Sequence, residues 1–156
     1  MDYIELLSML VGTVIGGLIT LLTARYTLKK QFESETKRMI LQEKKDEIMA
    51  LNSVEKEITF NIVALKKLKE VMNAEKTNYM DINTILKKDK WDKHSDTIEM
   101  IDDIEFLGRL QGFYLNLSHE IAMKAVNMER TEFLINRGFG LTKKIESYIE
   151  EYKKEM

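Results

Sequence analysis

No proline occurs anywhere in this chain of 156 residues, and no glycine lies between Gly17 and Gly108. These two residue types are the strongest breakers of regular structure, so ninety residues pass without the usual turn punctuation. A chain so free of breakers is expected to be helical. Charged residues make up 32% and aromatics only 8%, with Leu, Ile, Met, Lys and Glu abundant, which is the composition of long helices and not of a β-rich domain.

Within that helical frame one segment stands apart. From Leu6 to Ala24 nineteen residues carry no charge, and at about 1.5 Å per residue they reach roughly the 30 Å of a bilayer's hydrocarbon core. A soluble core would rarely need so long an uncharged helix, and the rest of the chain has none equally apolar to bury it against. A cleaved export signal would begin with cations and end in small residues. This one begins Met1-Asp2-Tyr3-Ile4-Glu5 and runs through Leu22-Thr23-Ala24 into Arg25, so a retained anchor is expected.

Lys and Arg beside a span resist translocation. None precedes this one, whereas Arg25, Lys29, Lys30, Lys37 and Arg38 follow it within fourteen residues. The amino terminus is therefore expected outside and the long C-terminal part in the cytoplasm, at the plasma (inner) membrane. Arg25, Lys29 and Lys30 form the membrane-flanking cations, which can also meet anionic headgroups at ~1 kcal/mol each. Inside the span, Ser8, Gly12, Gly16, Thr20 and Ala24 recur every four residues, a small-residue stripe that admits a second helix closely and so allows a homo-oligomer, the alternative being a plain anchor.

Beyond the span the pattern divides the chain into an anchor (1–25), a charged helical stalk (26–50) and a helical bundle (51–156). The stalk places nine charges among the fifteen residues from Glu33 to Glu47, as a helix bridging solvent does. From Leu51 an apolar seam appears at Leu51, Ile58, Leu65 and Met72, with Val54 and Leu68 as companions. Asn61 interrupts it and is expected to bond inside a three-helix core. Residues 73–81 read as a loop and 81–91 as a short helix. A long amphipathic helix is expected from Ser95, with Ile98, Ile101, Ile104, Leu107, Leu110, Tyr114, Leu117, Ile121, Ala125 and Met128 on one face. R137-G-F-G140 reads as a turn before a last helix carrying Leu141, Ile145, Tyr148, Ile149 and Tyr152 on one side. Gly108 and Gly112, four apart, suggest close helix contact or a bend.

Chemistry-bearing patterns are sparse. There is no cysteine, which removes disulfides and thiolate sites, and a net charge of -2 offers no field for nucleic acid. His94 has Asp96, Glu99, Asp102, Asp103 and Glu105 downstream, but these scatter around a helix and read as a solvated acidic face, not a metal site. Ser118 and His119 are neighbours on a helix and diverge, so they cannot pair as nucleophile and base. Two glycines before a helix at R137-G-F-G-L-T142 lack the strand and lysine of a phosphate loop. Trp91, the only tryptophan, is expected to fold onto the bundle.

T84-I-L-K-K-D-K-W91, E105-F-L-G-R-L110 and F113-Y-L-N-L-S118 together resemble segments of small uncharacterised bacterial and prophage single-pass membrane proteins. That resemblance implies one N-terminal span, a charged stalk and a cytoplasmic helical domain, and brings no functional residues. The expected fold class is all-α: a transmembrane helix continuing into a stalk, then a small antiparallel helical bundle. The expected function is that of an anchored interaction or scaffold protein, no enzyme and without cofactor, whose partners are the lipid bilayer, an unknown protein and a second copy. The alternative is a holin-like effector that permeabilises the membrane by assembling through its span.

Overall fold

The computed structural model describes residues 3–82 and 85–155, apart from the side chains at positions 4, 5, 6 and 8. Its elements are α1 (Tyr3–Glu75), β1 (Tyr79–Asp81), α2 (Asp89–Ile98), α3 (Ile104–Met123), β2 (Ala125–Asn127) and α4 (Met128–Glu155). The protein is thus all-α with one small two-stranded sheet. It divides into two compact units, Met1–Glu43 and Lys44–Met156, and the boundary falls inside α1.

In the second unit the seam of α1 is the core: Leu51, Val54, Ile58, Leu65 and Met72 are fully buried, and Leu68 nearly so. Helix α4 runs antiparallel to this stretch, since Lys44 pairs with Glu155 at one end and Lys69 with Glu132 toward the other. Helix α3 runs antiparallel to α4, with Lys144 3.6 Å from Asp103 and Arg130 donating to Asn116 at 3.3 Å. Phe106, Leu110, Phe113, Tyr114 and Leu117 of α3 fill the space between. This is the expected antiparallel bundle.

The connections differ from the sequence expectation. The expected loop at 73–81 holds the end of α1 and a strand. Lys76 turns left-handed at φ 53°, its N–H donates to the Asn73 carbonyl at 3.3 Å, and the Thr77 N–H donates to the Met72 carbonyl at 3.0 Å. These paired bonds close the helix, and the chain then pairs Tyr79, Met80 and Asp81 antiparallel with Asn127, Val126 and Ala125. The expected helix at 81–91 is not formed: α2 starts only at Asp89, while Asn83 and Thr84 lie outside the described residues. The expected long helix from Ser95 to Met128 is interrupted twice. Asp103 caps α3 by accepting from the Phe106 N–H at 2.8 Å, and Lys124, left-handed at φ 55°, ends it. Ile104, placed by its spacing on the buried face, is consequently 86% exposed.

The turn expected at 137–140 is likewise corrected, because α4 runs unbroken through it. Gly138 is instead a point of close approach. A methyl group there would lie 2.9 Å from both Cδ1 and Cγ1 of Ile62 and 3.3 Å from Cγ2 of Ile58. Gly140 has nothing within 4 Å of that position. Gly138→Val is therefore expected to destabilise the second unit by about 2 kcal/mol or more through overpacking. Gly140→Ala is expected to stabilise it by up to about 1 kcal/mol through helix propensity. Thermal unfolding of the full chain in detergent checks both, and a destabilising Gly140→Ala would contradict the continuous helix.

Candidate membrane anchor and polar sites

Near its N-terminus α1 contains an 18-residue window long and apolar enough to cross a membrane, and none of it is buried. Leu10, Val11, Val14, Ile15, Leu18, Ile19, Leu21 and Leu22 are all exposed. The hydroxyls within the stretch are satisfied by the helix itself. Thr13 donates to the Met9 carbonyl, Thr20 to Gly16 and Thr23 to Ile19, each at 2.8 Å. Such internal bonding removes the cost of carrying a free hydroxyl into hydrocarbon, which is one to several kcal/mol on the order of known transfer values. Of the small-residue stripe, the Ser8 side chain lies outside the described residues. Gly12 and Gly16 have nothing within 4 Å of a built Cβ, and Thr20 and Ala24 are exposed. Arg25, Lys29 and Lys30 follow at once, all exposed.

The second unit carries a buried polar cluster that the sequence reading found only in part. Asn61, fully buried, donates to the Lys87 carbonyl at 2.7 Å and accepts from the Lys87 N–H at 2.8 Å. One turn earlier, Glu57 is also buried and accepts three bonds: from the Lys90 N–H at 2.7 Å, the Trp91 N–H at 3.1 Å and the Tyr114 hydroxyl at 3.0 Å. Helix α2 has no cap from its own Lys88. Glu57 takes that role from across the core and meets the positive end of the helix dipole. Trp91 does fold onto the bundle, stacked on Tyr114 with centroids 4.8 Å apart and planes 9° from parallel. Glu57 lies three residues after Val54 and four before Asn61, so the seam spacing itself marked it.

Between α3 and α4 lies an open groove of about 760 Å³ lined by Arg109, Arg137, Lys143 and Lys144 around Phe106 and Leu141. Most of these cations are engaged nearby. Arg109 pairs with Glu105 at 2.5 Å, and Lys144 sits over the Tyr148 ring. Arg137 lies across Gly112, where a methyl would come within 2.8 Å of its Nη2, and donates to the Arg109 carbonyl at 3.3 Å. Gly112 is thus a site of close contact, as its spacing with Gly108 suggested, while Gly108 is open. Among the described residues no three His, Asp or Glu side chains converge to hold a metal. The acidic run after His94 is dispersed into local roles: Gln111 donates to Glu99 at 3.0 Å, Asp103 caps α3 and Glu105 pairs with Arg109. His119 lies 3.5 Å from Glu120.

Fold and site together define an all-α protein with, among the described residues, one candidate membrane-spanning helix and a compact helical unit. The chain matches no family model, no curated protein and no solved structure in comparisons with known proteins. The likeness to small bacterial and prophage membrane proteins is neither supported nor opposed by them. The residues that carry it do a structural job, since Leu86, Phe106, Leu110, Phe113, Tyr114 and Leu117 are all buried.

Three tyrosines tie the unit's stability to pH. Burial, and then the neighbouring Glu57 carboxylate, push the Tyr114 hydroxyl well above its ordinary value. Burial and the bond to Asp103 do the same for Tyr148. Burial, followed by the hydrogen bond to Glu47, pushes Tyr152 up to about 12. A value raised on folding means stability fully present below the unfolded value near 10 and lost as pH climbs through the folded value. Asp103 works in the opposite sense. Its bond from Tyr148, then the Phe106 N–H, hold its carboxyl below the usual range, so its contribution is lost only as pH falls through that lowered value. The near-ultraviolet dichroism of Trp91 against Tyr114 is expected to hold from neutrality to pH 10 and to be lost above it, as the raised tyrosine values draw the unit toward unfolding. Its loss below pH 10 would contradict this.

Proposed function

We propose that the protein is a single-pass membrane protein, amino terminus outside, that holds its helical unit at the cytoplasmic face of the plasma membrane for contact with protein partners. The observation that carries this reading is an apolar window with no burial inside the chain, flanked on one side by Arg25, Lys29 and Lys30. Exposed Leu, Ile and Val side chains at a helix centre each favour insertion by roughly 0.3 to 0.6 kcal/mol, whereas a central Arg or Lys opposes it by about 3. The span therefore ends where the cations begin, and their one-sided placement sets its direction. The reading assigns the chain no reaction. The second unit supports it as a display surface, because buried Glu57 and Asn61 are bonded to the backbone at Lys87 and Lys90 and to the Tyr114 hydroxyl.

A second reading draws on the open stripe at Gly12 and Gly16: assembly of the spans into a lesion. It requires that expression collapse the membrane potential and that isoleucine at either glycine prevent this.

The absence of native cysteine makes topology directly measurable. Asp2→Cys is expected to react with an impermeant maleimide on intact cells. Lys45→Cys and Lys154→Cys are expected to react only after permeabilisation. Labelling of Lys154→Cys from outside would reverse the orientation, and labelling of all three in intact cells would remove the span.

A further inference from the structure

Past the span, α1 keeps an apolar face that none of the described residues covers. Leu28 is 55% exposed, Phe32 68% and Met39 59%, in a segment dense with charge whose other exposed apolar side chains, Ile40 and Leu41, follow directly on Met39. These three fall at spacings of four and seven, with Glu35 between the last two, and so share one side of the helix. Taking the anchor reading as given, lipid does not reach the outer two. Phe32 and Met39 lie about 12 and 22 Å beyond Ala24 along the helix, whereas the headgroup zone is only about 5 to 7 Å deep. Two large apolar side chains are therefore left in water unless another protein surface meets them.

We propose that residues 28–43 of α1 form a parallel self-association seam, in which Phe32 and Met39 pack against the same residues of a second copy. Two arguments select a second copy as the occupant. Every copy is inserted in the same direction, so two stalks meet side by side in register, and a face placed at one height always finds itself. The charges also fit. With Phe32 and Met39 in the seam, Arg38 falls on its edge and reaches Glu43 of the second copy, five residues further on, and two-fold symmetry forms this pair twice. Among the described residues neither Arg38 nor Glu43 has an ion-pair partner in its own chain. Lys30 and Lys37 occupy the opposite side and remain in solvent. Glu35 is the weak layer: two carboxylates meet there, and their repulsion makes the association reversible. This seam is distinct from the small-residue stripe inside the span.

The test uses the full chain in vesicles of phosphatidylcholine and phosphatidylglycerol, with one cysteine introduced at a time. Phe32→Cys and Met39→Cys are expected to give oxidised dimers severalfold more readily than Lys30→Cys and Lys37→Cys. In the Met39→Cys background, Arg38→Glu is expected to reduce the dimer and the added Glu43→Arg to restore it, while Glu35→Leu increases it. Flotation of the same vesicles separates the two claims. A chain that floats but crosslinks equally at all four positions, or at none, overturns the seam alone. A chain that does not float overturns the anchor and the seam with it.

Discussion

An apolar stretch of helix with none of its side chains buried among the described residues leaves its apolar surface to be covered by something else, and this one constraint organises the N-terminal unit. Eight exposed Leu, Ile and Val side chains between Leu10 and Leu22 together favour a bilayer over water by roughly 2 to 5 kcal/mol on insertion scales. The helical geometry already satisfies every threonine hydroxyl described in that stretch. No polar group is left to object to lipid until Arg25. The same helix then carries on without a break to Glu75, so one element supplies both the candidate span and the first helix of the second unit.

The second unit rests on a different interaction. Glu57 is a buried carboxylate in a seam whose only other buried polar side chain, among the described residues, is Asn61, a placement that would cost several kcal/mol if left unpaired. It is instead bonded to two backbone N–H groups and a tyrosine hydroxyl. Those bonds bring the start of α2 onto α1, seat Trp91 on Tyr114 and leave Asn61 to hold the preceding backbone at Lys87. The link from α1 through residues 87–91 to α3 is therefore polar at its centre and aromatic at its edge. Replacing Glu57 with an apolar residue would strand three donors at once.

The sequence made the helical class and the α1 seam legible, because heptad spacing at Leu51, Ile58, Leu65 and Met72 lays one apolar stripe along a helix. It also indicated the internal role of Asn61 and the docking of Trp91. What it hid were the helix ends. Two left-handed turns are made by Lys76 and Lys124, a residue type with no turn signature, so the sequence pattern suggests a looser chain at 73–81 and a more continuous helix at 95–128 than the structure has. The reverse error occurred at Gly138, where a residue that usually marks a turn instead lets two helices approach within the reach of a methyl group. Glu57 was overlooked because its neighbours in V54-E-K-E-I58 are charged, and charge in a helix ordinarily faces water. Its cap on α2 is a contact between distant segments, which local pattern does not encode.

Membrane residence of the leading helix is the claim on which the functional reading depends, and alkaline carbonate extraction of membranes from cells making the full chain tests it most directly. Carbonate strips proteins held by charge and leaves spanning helices in the lipid. The account predicts that the intact chain stays with the membrane pellet, whereas its release into the high-speed supernatant would contradict it.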